Sequence, residues 1–384
     1  MTGSPVAAET VRVQLDKAML EELRQRLAVA RLVPLDGGWE RGTPRGWLVG
    51  LLADWRQFDA DGFQDRLDEL THLRATVGSQ AIHLVHEPGR GPQPLPLLLT
   101  HGWPGSFCEY LDIVPLLTDP GAHGADPADA FTVVVPSLPG FGFSGPPPAA
   151  GLTANAVAAL WHRLMTEGLG YSRYVAHGSD LGAGITARLA RAHPGAVTGI
   201  HLATPGLAAP PRPWSPAEEA HFAEVDAWTA EEGGYAHVHS TKPATLGAAL
   251  QDSPAGLGAW IGEKVVAWSS ETAEGQPAFP RNLLLATLTL YWATGTITTS
   301  LLPYWAYRHT PADGLQAGEP ASVPAAISIF GGERVPFPKP PRELAERYFN
   351  VTTWAEHDRG GHFPAVAEPQ LLAEALRNAF RPLR

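Results

Sequence analysis

His177-Gly178-Ser179-Asp180-Leu181-Gly182 sets a carboxylate inside a frame of small residues. An apolar run, Tyr174-Val175-Ala176, leads in, and a helical run, Ile185-Thr186-Ala187-Arg188-Leu189-Ala190, leads out. Strand, sharp turn and helix in that order make a nucleophile elbow, which holds its central residue in strained backbone and tolerates only small neighbours. Gly178 and Gly182 set the frame, so the central residue is Asp180. Centring the turn on Ser179 would put Leu181 where a small side chain is needed. The chemistry this selects is covalent catalysis by a carboxylate, with serine acyl transfer as the disfavoured reading.

An elbow of this kind works with an oxyanion hole made by the backbone N–H of the residue after the nucleophile and by another from a loop after an early strand. Those donors are expected at Leu181 and at Trp103, in His101-Gly102-Trp103-Pro104-Gly105-Ser106-Phe107. A cis Trp103-Pro104 bond would help aim the loop; an ordinary Gly/Pro turn is the plain alternative. Of the 15 histidines, His362 in Gly360-Gly361-His362-Phe363 follows the strand-like Val351-Thr352-Thr353-Trp354 and comes last, as the base does in the order nucleophile, acid, histidine. The acid is expected at Glu333, ending Ile327-Ser328-Ile329-Phe330-Gly331-Gly332-Glu333, where it would hold the His362 tautomer and stabilise the imidazolium. Asp358 and Glu356 compete from the run approaching His362, and Asp313 is more remote. His83, His86, His177, His237 and His239 are read as structural. None of these histidines has metal-ligand spacing beside acidic partners, so neither a metal nor a cofactor is expected.

Around these residues the chain alternates short apolar runs with helical stretches. Residues 97–99, 131–135, 174–176, 200–202 and 327–330 read as buried parallel strands with crossover helices. Asp16 is placed to cap a first helix, with Leu15 and Leu20 as a hydrophobic staple and Leu20, Leu23 and Leu27 on one face. Aromatic-rich helical text follows through Trp47, Leu51, Leu52 and Trp55, before a turn at Gly78. From Pro205 to Tyr307 the rhythm breaks into Trp- and Ala-rich helical text, opened by Pro210, Pro211, Pro213 and Pro216. The expected architecture is an α/β-hydrolase fold: a mostly parallel sheet with flanking helices, an inserted helical lid and an N-terminal helical extension. Its boundaries are 1–80 for the extension, 81–204 and 308–384 for the two parts of the core, and 205–307 for the lid.

At 384 residues the chain can bury one large core plus an accessory region. The net charge of −11 argues against a nucleic-acid partner, which asks for a basic face. The single cysteine, Cys108, excludes an internal disulfide. Met1-Thr2-Gly3-Ser4-Pro5 lacks the basic and apolar regions of a signal peptide, and no window approaches the roughly 20 apolar residues of a membrane span. The expectation is a soluble cytoplasmic protein, with Arg, Ala, Gly and Pro usage pointing to a GC-rich bacterial genome. The oligomeric state stays open, a homodimer included.

The loop at His101, the elbow at Asp180, Arg359-Gly360-Gly361-His362-Phe363 and the N-terminal extension together resemble the epoxide hydrolases of the microsomal and juvenile-hormone type, nearly end to end. Gly234-Tyr235, His239-Ser240-Thr241-Lys242-Pro243, Asp252-Ser253-Pro254, Ala259-Trp260-Ile261-Gly262-Glu263-Lys264 and Leu290-Tyr291-Trp292-Ala293-Thr294-Gly295-Thr296 resemble that family's lid. The resemblance implies two lid tyrosines, at Tyr235 and at Tyr304 or its neighbour Tyr307. Leu181 stands where the family often has Trp, Ser179 replaces a glycine, and Gly331-Gly332 replaces a Pro-containing turn before the acid. These departures bear on the pocket's shape and on the placement of Glu333, and they spare the backbone donors. The microsomal group carries a membrane anchor, with which this chain does not begin.

By that resemblance, the phenols would bind the oxygen of a small-molecule epoxide while Asp180 attacks a ring carbon. Water activated by His362 and Glu333 would then hydrolyse the ester to a vicinal diol. A haloalkane dehalogenase would share Asp180 and His362 but carry Trp or Asn halide donors in the lid. A non-catalytic receptor of the same fold would have lost a catalytic position, and a serine esterase would work through Ser179.

Overall fold

One sheet carries nine strands among the described residues, in the order β1-β2-β3-β5-β4-β6-β7-β8-β9. They are β1 (Ala8–Thr10), β2 (His72–Val77), β3 (Gln80–Glu87), β4 (Leu95–Thr100), β5 (Phe131–Pro136), β6 (Tyr174–Ser179), β7 (Val197–Ala203), β8 (Ala321–Gly331) and β9 (Phe349–Gly360). This computed structural model describes residues 6–32, 34, 37–310, 314–318 and 320–384. Residues 1–5 and Asp313, both weighed above, lie outside the described residues. From β5 across to β9 every pairing is parallel, while β1, β2 and β3 add an antiparallel edge joined through β5. Parallel strands are covered on both faces, which is why β6 is buried along its whole length and Leu97, Leu98 and Leu99 of β4 are fully buried in succession.

The first 80 residues hold the helices Lys17–Ala28, Arg45–Arg56 and Ala60–Asp68, and in addition β1 and β2, where helical text alone was expected. The six residues of β2 alternate only from Leu73 onward, buried at Leu73, Ala75 and Val77 and exposed at Arg74 and Thr76. A strand that short is easily missed next to three helices, and its partner β3 supplies the hydrogen bonds that make it one. Asp16 caps the first helix, accepting from Ala18 N at 2.8 Å, and Leu20, Leu23 and Leu27 are buried on one face.

Between β7 and β8 the chain is helical, from Pro216–Glu232 through Gly234–Thr241, Pro243–Asp252, Pro254–Trp268 and Arg281–Thr294 to Leu302–His309. Ser215 opens this segment with a capping box to Glu218, whose buried carboxylate also pairs with Arg347 at 2.7 Å. The N-terminal helices pack onto it. Trp55 Nε1 donates to Thr289 Oγ1 at 2.9 Å, Arg26 Nη1 donates to Asp252 at 2.7 Å, and Thr43 Oγ1 donates to the Ala259 carbonyl at 2.7 Å. The extension thus ties the inserted helices to the sheet edge it has itself widened.

β4, β6, β8 and β9 run parallel, so the loops leaving their C-terminal ends share one edge of the sheet. Trp103, Asp180, Glu333 and His362 follow those four ends. Crevices at carboxyl ends of parallel strands are where such sheets bind ligands.

Candidate active site

At the elbow Asp180 has φ 50° and ψ −126°, a conformation that costs a non-glycine residue about 1–3 kcal/mol and persists only when its surroundings impose it. Close packing imposes it here. A Cβ on Gly178 would come within 2.1 Å of the Gly182 carbonyl oxygen, and one on Gly182 within 2.0 Å of the Thr100 carbonyl oxygen. The frame inferred from the sequence is therefore a steric requirement. Ser179 is buried as the last residue of β6 and bonds Tyr110, away from the pocket.

Asp180 Oδ1 accepts from the Trp103 backbone N–H at 2.8 Å, and the Leu181 N–H also bonds this carboxylate. The second oxygen, Oδ2, stands 3.3 Å from His362 Nε2. Burial alone would raise the Asp180 carboxyl, but His362 and the two N–H donors outweigh it and hold the group below its ordinary value. The carboxylate thus keeps Oδ1 on the Trp103 backbone dipole and Oδ2 towards an imidazole. The Trp103-Pro104 bond is cis.

His362 is delivered by two glycines in left-handed backbone, Gly360 at φ 103° and Gly361 at φ 58°. Its backbone N–H donates to the Trp268 carbonyl at 3.0 Å, and its ring packs on Trp268 and Phe363 at centroid distances of 4.8 and 5.0 Å. Glu333 lies with His362 in the same pocket wall, its side chain 3% exposed. Among the described residues its carboxylate is taken by Lys339 Nζ and makes no hydrogen bond to His362. Of the competing acids, Asp358 is exposed and Glu356 is exposed and bonded to Trp354 Nε1 at 2.7 Å.

Tyr235, near the start of helix Gly234–Thr241, and Tyr304, in helix Leu302–His309, bring their rings to a centroid distance of 6.0 Å, opposite Asp180. Trp103 joins the two halves of the site. Its indole stacks on Tyr235 at 5.6 Å and meets Tyr304 edge-on at 6.1 Å, while its backbone N–H holds Asp180. Burial pushes both phenols above their ordinary value, so both stay protonated. Tyr307, one turn further on, is 59% exposed. The cavity between the halves is about 690 Å³ and largely apolar, with Leu138, Ile185, Trp268 and Phe337 among its walls.

Sequence reasoning passed over several groups in this assembly. His239, read as structural, is fully buried against Trp103 at 4.7 Å and Tyr304 at 4.8 Å. Its Nε2 accepts from Trp260 Nε1 at 3.1 Å, and burial holds the imidazole neutral, down to about 3. His237, also read as structural, contributes to the pocket wall. Glu109 is a buried carboxyl raised well above its ordinary value, first by burial and then by the Asp180 charge. Its Oε1 fills the space a side chain on Gly105 would need. Lys264 Nζ lies 4.9 Å from the Tyr235 ring centroid. His177 fits its structural reading, bonding His201 at 2.9 Å, as does His83, bonding His72 and Ser137 at 2.8 Å each. Among the described residues, no group of three or more His, Cys, Asp or Glu side chains could hold a metal ion, and no helix is long and apolar enough to cross a membrane.

The family model described as "Epoxide hydrolase N terminus" matches residues 8–110, and that described as "alpha/beta hydrolase fold" matches residues 96–233. A putative epoxide hydrolase from Stigmatella aurantiaca is 37% identical, over 97% of this chain and 84% of its own. Epoxide hydrolase 1 of Sus scrofa is 31% identical, over 97% of this chain and 89% of its own. Among solved structures, juvenile hormone epoxide hydrolase from the silkworm Bombyx mori superposes with a TM-score of 0.85 at 28% identity, covering 99% of this chain and 96% of that one. The Aspergillus niger epoxide hydrolase gives 0.84 at 27%, covering 99% and 97%. The fold is the α/β-hydrolase fold, as expected from the elbow and the strand pattern.

Proposed function

The chain belongs to the epoxide hydrolase family, and from that membership we propose that it opens an epoxide to a vicinal diol through a covalent ester on Asp180. Asp180 Oδ2 attacks a ring carbon from the back side, and the carbon–oxygen bond of the ring breaks. The departing oxygen takes a proton from Tyr235, with Tyr304 as the second donor. His362 then removes a proton from water, which attacks the carboxyl carbon of Asp180. The negative charge formed on Oδ1 is held by the N–H groups of Trp103 and Leu181. Collapse releases the diol as its leaving oxygen takes the proton from His362, and the proton left on the Asp180 carboxyl returns through solvent to the phenolate, restoring both groups. Glu333 is the acid of this scheme, stabilising the imidazolium by its buried charge, with Lys339 as a counterweight.

The observation that carries the reading is the division of labour at Asp180. Oδ1 already sits on the Trp103 N–H, with the Leu181 N–H also on the carboxylate, while Oδ2 faces the cavity side at His362, so Oδ2 is the oxygen to attack and Oδ1 the ester carbonyl that results. Two phenols facing the carboxylate support an epoxide over an alkyl halide, whose departing halide asks for Trp or Asn donors. The helices of 205–307 serve as the lid, anchored by the first 80 residues, and the apolar cavity suits a hydrophobic epoxide.

Single turnover in heavy-oxygen water tests the scheme. The label is expected on Asp180 with the first diol unlabelled; label in the diol alone would mean direct attack by water. In His362→Gln the ester is expected to accumulate and to show by intact mass.

A further inference from the structure

Lys264 occupies a place that the chemistry above leaves unexplained. It is a buried cation, its side chain 9% exposed, on the helix Pro254–Trp268. Its ammonium pairs with Glu263 at 2.8 Å and stands 3.9 Å from Glu232. The same ammonium lies over the Tyr235 ring, 4.9 Å from its centroid, and 5.8 Å from that of Trp268. Neither Lys264 nor Glu263 lines the pocket, so both act on the cavity from behind its wall. Among the described residues no cation lies over Tyr304. The two phenols are therefore electrostatically unequal.

We propose that Lys264 is a positioning residue that makes Tyr235 the principal proton donor to the epoxide oxygen. A cation over an aromatic face is attracted to the ring, and more strongly as the ring gains negative charge. Proton transfer from the phenol creates that charge, so the ammonium stabilises the transition state more than the ground state. Glu263 opposes this, since its carboxylate disfavours charge on Tyr235. Tyr304 reinforces the asymmetry: against the upward push of burial and of Asp180 on both phenols, their mutual hydrogen bond pulls Tyr235 down and Tyr304 up. Asp180, Glu263, Tyr304, His239 and Lys264 are the ionisable groups that bear on Tyr235.

The inference rests on the proposed use of Tyr235 as donor, and its test is the rate of ester formation in a His362→Gln parent. Rapid quench and intact mass follow the faster of styrene oxide and cyclohexene oxide. Lys264→Met is expected to slow ester formation about tenfold, Lys264→Arg to restore most of it, and Glu263→Gln to speed it about threefold. In Tyr235→Phe all three effects shrink to within about twofold, because the responding proton is gone. A merely structural ion pair predicts slowing by both Lys264→Met and Glu263→Gln, with or without the Tyr235 hydroxyl, and that result overturns the proposal. Should Lys264→Met fail to fold, the near-isosteric Glu263→Gln still decides by its sign. Normal ester formation untouched by Lys264→Met sinks this inference alone, whereas no ester in the parent sinks the covalent reading and this inference with it.

Discussion

The two walls of the cavity are built on different physics. On the sheet side, Asp180 is served by backbone: two N–H donors, a strained turn, and glycines packed against carbonyl oxygens at distances that leave no room for a methyl group. On the helical side, the site is made of side chains from three helices: Tyr235, His239, Trp260, Lys264 and Tyr304, their rings packed edge-on or tilted and backed by an ion cluster. Backbone groups cannot be altered by ordinary substitution, so the sheet wall tolerates almost no variation. Side chains can be exchanged singly, and the helical wall is where substrate preference has room to change.

Replacing the proposed nucleophile is expected to have the largest effect and to break the sheet wall outright. Asp180→Ala is expected to lower kcat by roughly 10⁴-fold or more, measured as diol formed, with little change in the unfolding midpoint. On the helical wall, the Tyr235→Phe/Tyr304→Phe pair should slow ester formation by about 10³-fold, with either single change costing about 10- to 100-fold because one phenol remains. Equal loss from one substitution and from both would mean that the two side chains work as one unit.

Glycines sharpen the contrast further. Gly178→Ala drives a methyl into a backbone carbonyl and is expected to cost about 3 kcal/mol in urea unfolding. Gly247→Ala in the helical segment meets only the Thr298 side chain, and about 1 kcal/mol is expected there. A reversed order would show the helical segment to be packed more rigidly than the elbow.

The smallest effect is a pH dependence shared by both walls. Folded His101 is held at about 4, and His177 and His239 at about 3, in each case chiefly by burial. Unfolded histidine titrates near ~6.5. As pH falls below that value the unfolded chain takes up protons that the folded chain refuses, so these groups erode stability from about 6.5 down to about 4, where His101 also begins to protonate in the fold, and cease to do so below about 3. His239→Gln should flatten that slope by about one proton, read from unfolding free energy against pH.

Much of the sheet wall was legible in the sequence. The elbow occupies consecutive residues and its constraints are local, so Gly178, Asp180 and Gly182 identify one another. The strand that leads to His101 and Trp103 announces itself as an apolar run, Leu97-Leu98-Leu99. His362 follows from flanking glycines and its place in chain order. The antiparallel strand β2 was not legible: it is six residues long, and only pairing with β3 distinguishes it from the helical text before it. Glu333 was found as the carboxyl at the end of β8, but nothing in Gly331-Gly332-Glu333 foretells Lys339 on its carboxylate.

Short-range order in the chain was enough for the fold class and for singling out Asp180 and His362, because backbone strain and hydrophobic periodicity are written into neighbouring residues. Folding set the ring of Tyr304 against Tyr235 and left Tyr307 largely exposed, laid Lys264 over Tyr235, and buried His239 between the rings. Those outcomes depend on how separate helices rotate and pack against one another, and packing between distant segments leaves no imprint on the spacing within any one of them.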